Sequence, residues 1–113
     1  MRTCARWMVK SSFRSTPPAN SFRDTPLLDH LKREGVTRVV ICGMMTHMCV
    51  DATTRAAFDF GLECLIAHDA CATKALTFQG QSIPAQQVHG SFLAALDASY
   101  GKVLSVEAII ALL

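Results

Sequence analysis

Apolar positions recur along the chain in two rhythms. Val36-Thr37-Arg38-Val39-Val40-Ile41-Cys42 is β-branched and nearly continuous in apolar character, as a strand buried on both faces requires. Leu62 to Ala67 repeats that pattern, and Lys102 to Ser105 gives a shorter third strand. Helical spacing fills the intervals. Thr25-Pro26 opens a first helix, with threonine as cap and proline where a missing N–H costs nothing, and Leu27, Leu28 and Leu31 follow before Gly35 ends it. A second helix runs from about Met48 to Phe60 and stops at Gly61; its small residues Ala52, Ala56 and Ala57 allow close approach to a sheet. Asp51 and Arg55 stand four apart on it, a surface pair of a few tenths of a kcal/mol. The third helix opens at Ile83-Pro84, places Val88, Phe92, Ala95 and Leu96 on one face, and ends at Gly101. Val106 to Leu113 adds a last helical turn or two, and His68 to Gly80 reads as a loop. Strands alternating with helices predict an α/β fold with parallel pairing and right-handed crossovers.

Composition narrows the function classes. The chain has 113 residues, 50% hydrophobic and 18% charged, one domain's worth and too apolar for a disordered protein. No stretch approaches the roughly 20 apolar residues of a membrane helix. A net charge of +2 gives no case for nucleic-acid binding. The charge is unevenly placed, however. Arg2, Arg6, Lys10, Arg14 and Arg23 stand in a head without acids that also holds Ser11, Ser12, Ser15, Pro17 and Pro18. Residues 1–19 therefore read as a basic leader outside the domain, and 20–113 as the domain itself. The leader suits a disordered segment or an organelle targeting peptide, but not a secretory signal. Five cysteines, Cys4, Cys42, Cys49, Cys64 and Cys71, form no C-x-x-C pair, which suits free thiols in a reducing, cytoplasmic setting.

Gly43-Met44-Met45-Thr46-His47-Met48-Cys49-Val50-Asp51-Ala52 places a cysteine just after a strand, at the first turn of a helix. Backbone N–H groups at a helix start lack internal partners and, with the positive end of the macrodipole, stabilise an anion. A thiolate is such an anion, and so is the oxyanion of a tetrahedral intermediate. Any strand-to-helix junction can also hold a cysteine that merely packs, so the spacing alone leaves both readings open. The four histidines, His30, His47, His68 and His89, show neither i, i+4 nor H-x-H spacing, so no metal site is expected.

Three segments together carry a resemblance: Asn20-Ser21-Phe22-Arg23-Asp24-Thr25-Pro26-Leu27-Leu28, then Val40 through Ala57, then Ala67-His68-Asp69-Ala70-Cys71-Ala72. They resemble the isochorismatase-like cysteine hydrolases over roughly residues 19 to 110. The resemblance implies a Rossmann-like, three-layer α/β/α fold with a mostly parallel sheet. It implies hydrolysis of a small amide or ureido C–N bond through a thioester on Cys49, without a cofactor. It further implies a cis peptide between Met44 and Met45 that aims the Met45 N–H, with that of Cys49, at the oxyanion. Met44, His47 and Phe22 would then border the substrate.

Two departures from the pattern matter. The family's catalytic Asp ends a strand far upstream of Asn20, for which the head leaves no room, and the position of its Lys is Thr16, with Lys10 out of register. The chain is thus expected to be a truncated form of the fold, with an unpaired sheet edge and poor turnover, since general acid–base catalysis contributes on the order of 10²–10⁴ in rate. The expected ligand is a small amide-like molecule, and the exposed edge points to a homo-oligomer. The alternative is a catalytically inactive remnant that associates with a full-length hydrolase.

Overall fold

The computed structural model describes residues 4–6 and 20–113. Its elements are β1 (Cys4–Arg6), α1 (Leu27–Arg33), β2 (Arg38–Met44), a π-helical turn (Thr46–Val50), α2 (Asp51–Asp59), β3 (Glu63–Ala72), β4 (Leu76–Phe78), β5 (Gln81–Ile83), α3 (Ala85–Ser99), β6 (Lys102–Leu104) and α4 (Val106–Leu112). The main sheet runs β1-β2-β3-β6 with every pair parallel. The α/β architecture expected from the alternation is therefore present, and among the described residues no helix is long and apolar enough to cross a membrane.

Alternation along β2 and β3 sorts their side chains into two layers. Val39 and Ile41 of β2 and Cys64 and Ile66 of β3 face one side, where Leu31 of α1, Ala57 of α2 and Leu93 and Leu96 of α3 cover them. Leu65 and Ala67 of β3 face the other side with Val40 and Cys42, under Ile109 of α4. Helices thus lie on both faces. The tightest approach is at Gly101, which leads α3 into β6. A Cβ built there would stand 2.6 Å from the Cys64 carbonyl oxygen, so only glycine lets α3 turn back against β3.

Several boundaries differ from the sequence reading. Ahead of Thr25 the sequence predicts no strand, yet Cys4–Arg6 pairs with Arg38–Val40 of β2 and covers part of that edge. Residues 1–3 and 7–19, which make up the rest of the expected leader and include Thr16, lie outside the described residues. The expected loop from His68 is instead the continuation of β3. A register shift after Ile41 lets Gly43 and Met44 pair with Cys71 and Ala72, so backbone bonds carry the strand through the exposed His68 and Asp69, where no apolar signal exists. The rest of that region folds as the β4–β5 hairpin, turned by Gln79 at φ 50° and Gly80 at φ 77°, the positive pair of a type I′ turn. Ile83 belongs to β5, and α3 begins after Pro84.

Candidate functional site

Met44 ends β2, and the peptide linking it to Met45 is cis, as the resemblance implies. The chain then enters a turn one residue wider than an α-turn. The Met45 carbonyl accepts the N–H of Met48 at 3.0 Å and that of Val50 at 3.3 Å, the second being the i→i+5 bond of a π-turn. Cys49 is the fourth residue of this turn and half-buried. Cys49 therefore stands in the first turn of a helical run, as the spacing predicts; that turn is π-helical and opens at Thr46 rather than about Met48, and the Val50 bond to Met45 delays the α-helical register until Asp51. Strand end, cis peptide and π-turn together put the cysteine at the carboxyl edge of a parallel sheet, where open α/β folds bind ligands.

Two side chains tie the turn to the exit of β3. The fully buried Thr46 places its Oγ1 3.4 Å from the Ala72 carbonyl and 2.9 Å from Nδ1 of His89 on α3. His47 Nδ1 lies 2.6 Å from the Thr73 hydroxyl, and its ring centroid stands 6.0 Å from that of Phe92. Burial lowers the pKa of His47 below the usual imidazole value, and the nearby Lys74 charge adds to the effect, so the ring is neutral at physiological pH.

The segment before α1 is fastened beside α2. Asn20 Oδ1 accepts the amides of Phe22 at 2.9 Å and Arg23 at 2.8 Å, closing a tight turn. The Ser21 amide donates to Thr53 Oγ1 at 3.0 Å, one helical turn beyond Cys49. Phe22 itself is 8% exposed and meets Phe60 edge-on at a centroid distance of 5.3 Å. It borders an apolar crevice with Leu31, Val39, Ile41, Thr53 and Ala57, whose lining includes neither Cys49 nor His47. Met44, Met45, His47 and Cys49 are thus brought together, while Phe22 sits with the core. Met44 and Met48 are 44% and 48% exposed, leaving an apolar rim around the turn.

The described thiols differ sharply in environment. Burial pushes the Cys64 thiol up to about 11, helped by the Glu63 charge. Burial also holds Cys71 at about 11, against the opposing pull of the Gly43 backbone. By exposure only Cys64 among the described thiols is closed off; Cys42, Cys49 and Cys71 are half-buried. Asp69 accepts the Val106 amide at 2.8 Å and so caps the start of α4. Among the described residues no three His, Cys, Asp or Glu side chains converge.

Thr73, His89 and Phe92 are the contacts that sequence reading missed. Thr46 and His89 are 43 residues apart in sequence, and no local spacing announces their bond.

The chain's similarities agree with this geometry. The isochorismatase domain profile matches residues 12–106. The uncharacterized isochorismatase family protein YddQ of Bacillus subtilis is 47% identical over 89 residues, covering 79% of this chain and 49% of YddQ. Nicotinamidase 3 of Arabidopsis thaliana is 37% identical over 54 residues, covering 48% of this chain and 27% of its own. Among solved structures, a candidate isochorismatase hydrolase from Oleispira antarctica superposes with a TM-score of 0.79 at 53% identity, over 82% of this chain and 49% of its own. The chain spans about half the length of YddQ and of the Oleispira protein. A parallel sheet between helices, with a cysteine turn after a cis peptide at its carboxyl edge, thus comes with matching sequence over most of the length, and the chain belongs to the isochorismatase family.

Proposed function

We propose that this chain carries the nucleophile half of a cysteine hydrolase acting on a small amide or ureido C–N bond. The observation that supports it most directly is Cys49, half-buried in a π-turn that directly follows the Met44–Met45 cis peptide at the sheet's carboxyl edge. The similarity to a nicotinamidase favours amides as the substrate class.

In this reading the Cys49 sulfur attacks the substrate carbonyl carbon, and the N–H groups of Met45 and Cys49 receive the developing oxyanion. The C–N bond breaks. The nitrogen leaves as ammonia or an amine, taking up the proton that the thiol gave up. Water then adds to the thioester, its oxygen ends in the acid product, and the thiol proton is restored. Met44 and His47 border the substrate, with Phe92 behind the neutral His47 ring. Phe22 acts from the core, by holding the Ser21 segment against α2.

The test combines turnover with trapping. The protein is incubated with nicotinamide and with a carbamoylated amine; ammonia is measured, and quenched samples are mapped by peptide mass spectrometry. The expected result is ammonia release with an acyl adduct on Cys49, both abolished in Cys49→Ala. Release that survives in Cys49→Ala, or an adduct on another thiol alone, refutes the assignment.

A further inference from the structure

His89 stands on α3, far from the cysteine in sequence, yet it bridges two elements that frame the cysteine turn. Its Nε2 lies 3.0 Å from the His68 carbonyl of β3, and its Nδ1 lies 2.9 Å from the Thr46 hydroxyl. A carbonyl oxygen only accepts, so Nε2 carries the hydrogen. In the neutral ring Nδ1 is then an acceptor, and the single Thr46 hydroxyl proton is donated to it. The competing Thr46 contact, to the Ala72 carbonyl at 3.4 Å, is too long to claim that proton, since strong hydroxyl bonds span about 2.5–3.0 Å.

We propose that His89, as its Nε2–H tautomer, is a positioning residue for the nucleophile turn. The proposal rests on the reading of Cys49 as nucleophile and deepens it. Thr46 is fully buried and opens the turn. It directly follows Met45, whose carbonyl organises the turn and whose N–H is the proposed oxyanion donor. Fixing Thr46 therefore fixes both halves of the site. The chain Thr46 O–H to Nδ1, Nε2–H to the His68 carbonyl, ties that point across α3 to β3. The His47–Thr73 contact is a second, separate tie on the same side of the turn. A π-turn has one more residue than an α-turn to relax into, so loss of the first tie lets the Met45–Cys49 geometry drift, and small displacements of reacting groups carry large rate penalties.

The experiment reads tautomer and thiol chemistry separately. Nitrogen-15 NMR of the His89 ring at pH 8 should show a protonated Nε2 and an unprotonated Nδ1; the opposite tautomer overturns the proposal without any variant. In the wild type, iodoacetamide should label Cys49 ahead of Cys42, which serves as reference within the same molecule. Thr46→Val removes the hydroxyl without changing shape, and His89→Gln keeps a donor toward the His68 carbonyl while losing the Nδ1 acceptor. Both should cut the Cys49-to-Cys42 rate ratio about tenfold. His89→Asn retains an acceptor near the Nδ1 position and should recover most of the ratio. An unchanged ratio in Thr46→Val and His89→Gln, even with lowered melting temperatures, overturns positioning and leaves a packing bond. A wild-type Cys49 that reacts no faster than Cys42 overturns the nucleophile reading itself, and positioning with it. Should His89→Gln fail to fold, Thr46→Val and the NMR tautomer still decide.

Discussion

Alkylation of the native protein should separate its thiols by environment. The thiolate is the reactive form, and burial raises Cys64 and Cys71 from the ordinary value of 9.0 to about 11. At pH 7.5 that shift lowers their thiolate populations about a hundredfold. A more basic thiolate is intrinsically more nucleophilic, with a Brønsted slope of about 0.4–0.5, which returns about tenfold. Ionisation alone therefore slows both thiols about tenfold, and restricted access multiplies the effect for Cys64, which is 1% exposed. Cys64 additionally points its S–H at the carbonyls of Thr54 and Leu62, at 3.8 and 3.7 Å. The assay is iodoacetamide labelling at pH 7.5 with timed quenching and peptide mapping, run on the native protein and on the chain unfolded in about 8 M urea. Native labelling of Cys64 and Cys71 should lag the unfolded rate by at least about tenfold, while the half-buried Cys49 reacts early. Native Cys64 labelling as fast as in urea would refute the claim that this sheet face is closed, and with it the packing that places the cysteine turn.

Other expected outcomes test the frame around the site. Gly101→Ala brings a Cβ to 2.6 Å from the Cys64 carbonyl, so it should cost about 1–3 kcal/mol, read as a lowered denaturation midpoint; an unchanged midpoint would contradict the close approach. Thr53→Ala removes the acceptor of the Ser21 amide, and should lower stability by about 1 kcal/mol while speeding hydrogen exchange at Ser21; unchanged exchange would break the link between that segment and α2. His47 has a lowered folded pKa, so just below pH 6.5 the unfolded chain binds more protons than the folded one. Stability should accordingly be level above pH 6.5 on this account and fall as pH drops through the window beneath it. His47→Gln should flatten that part of the curve measured by urea titration, and an unaltered slope would assign it to other groups.

The parts of this fold visible in sequence are those with a strong local cause. β2 is announced by Val39, Val40 and Ile41, the core of β3 by the run ending at Ala67, and α3 by its apolar face and by Gly101. The parts hidden in sequence are made by pairing. Cys4–Arg6 has no apolar rhythm and becomes a strand only beside Arg38–Val40. His68–Ala72 extends β3 because the register shift in β2 offers Gly43 and Met44 as partners. The β4–β5 hairpin turns on Gln79-Gly80, a pair without the asparagine or aspartate that usually marks a type I′ turn. The site divides the same way. Cys49, Met45 and His47, the residues proposed for the site, lie in one contiguous segment that sequence alone can single out. The Thr46–His89 and His47–Thr73 contacts join residues 43 and 26 positions apart, and only the folded sheet brings them together.

A nucleophile and its oxyanion donors need a rigid backbone, whereas proton transfer needs a group of suitable basicity within reach of sulfur and leaving nitrogen. On the proposed reading, the described residues supply the first requirement. Met45 and Cys49 share one turn, and that turn is tied to β3 through Thr46 and His47. The second requirement is met less well there. His47 is the one titratable imidazole within the turn, and its Nδ1 is already engaged with Thr73 while burial and Lys74 lower its basicity. The charged groups nearest in sequence are Asp51 and Arg55, which bond each other at 3.1 Å. A site so built favours the step in which sulfur bonds to carbon more than the steps in which protons move. On the proposed reading, acylation and deacylation would therefore depend on a proton carrier from outside the turn, and on the Thr46 and His47 ties to keep the amides aimed while that carrier acts.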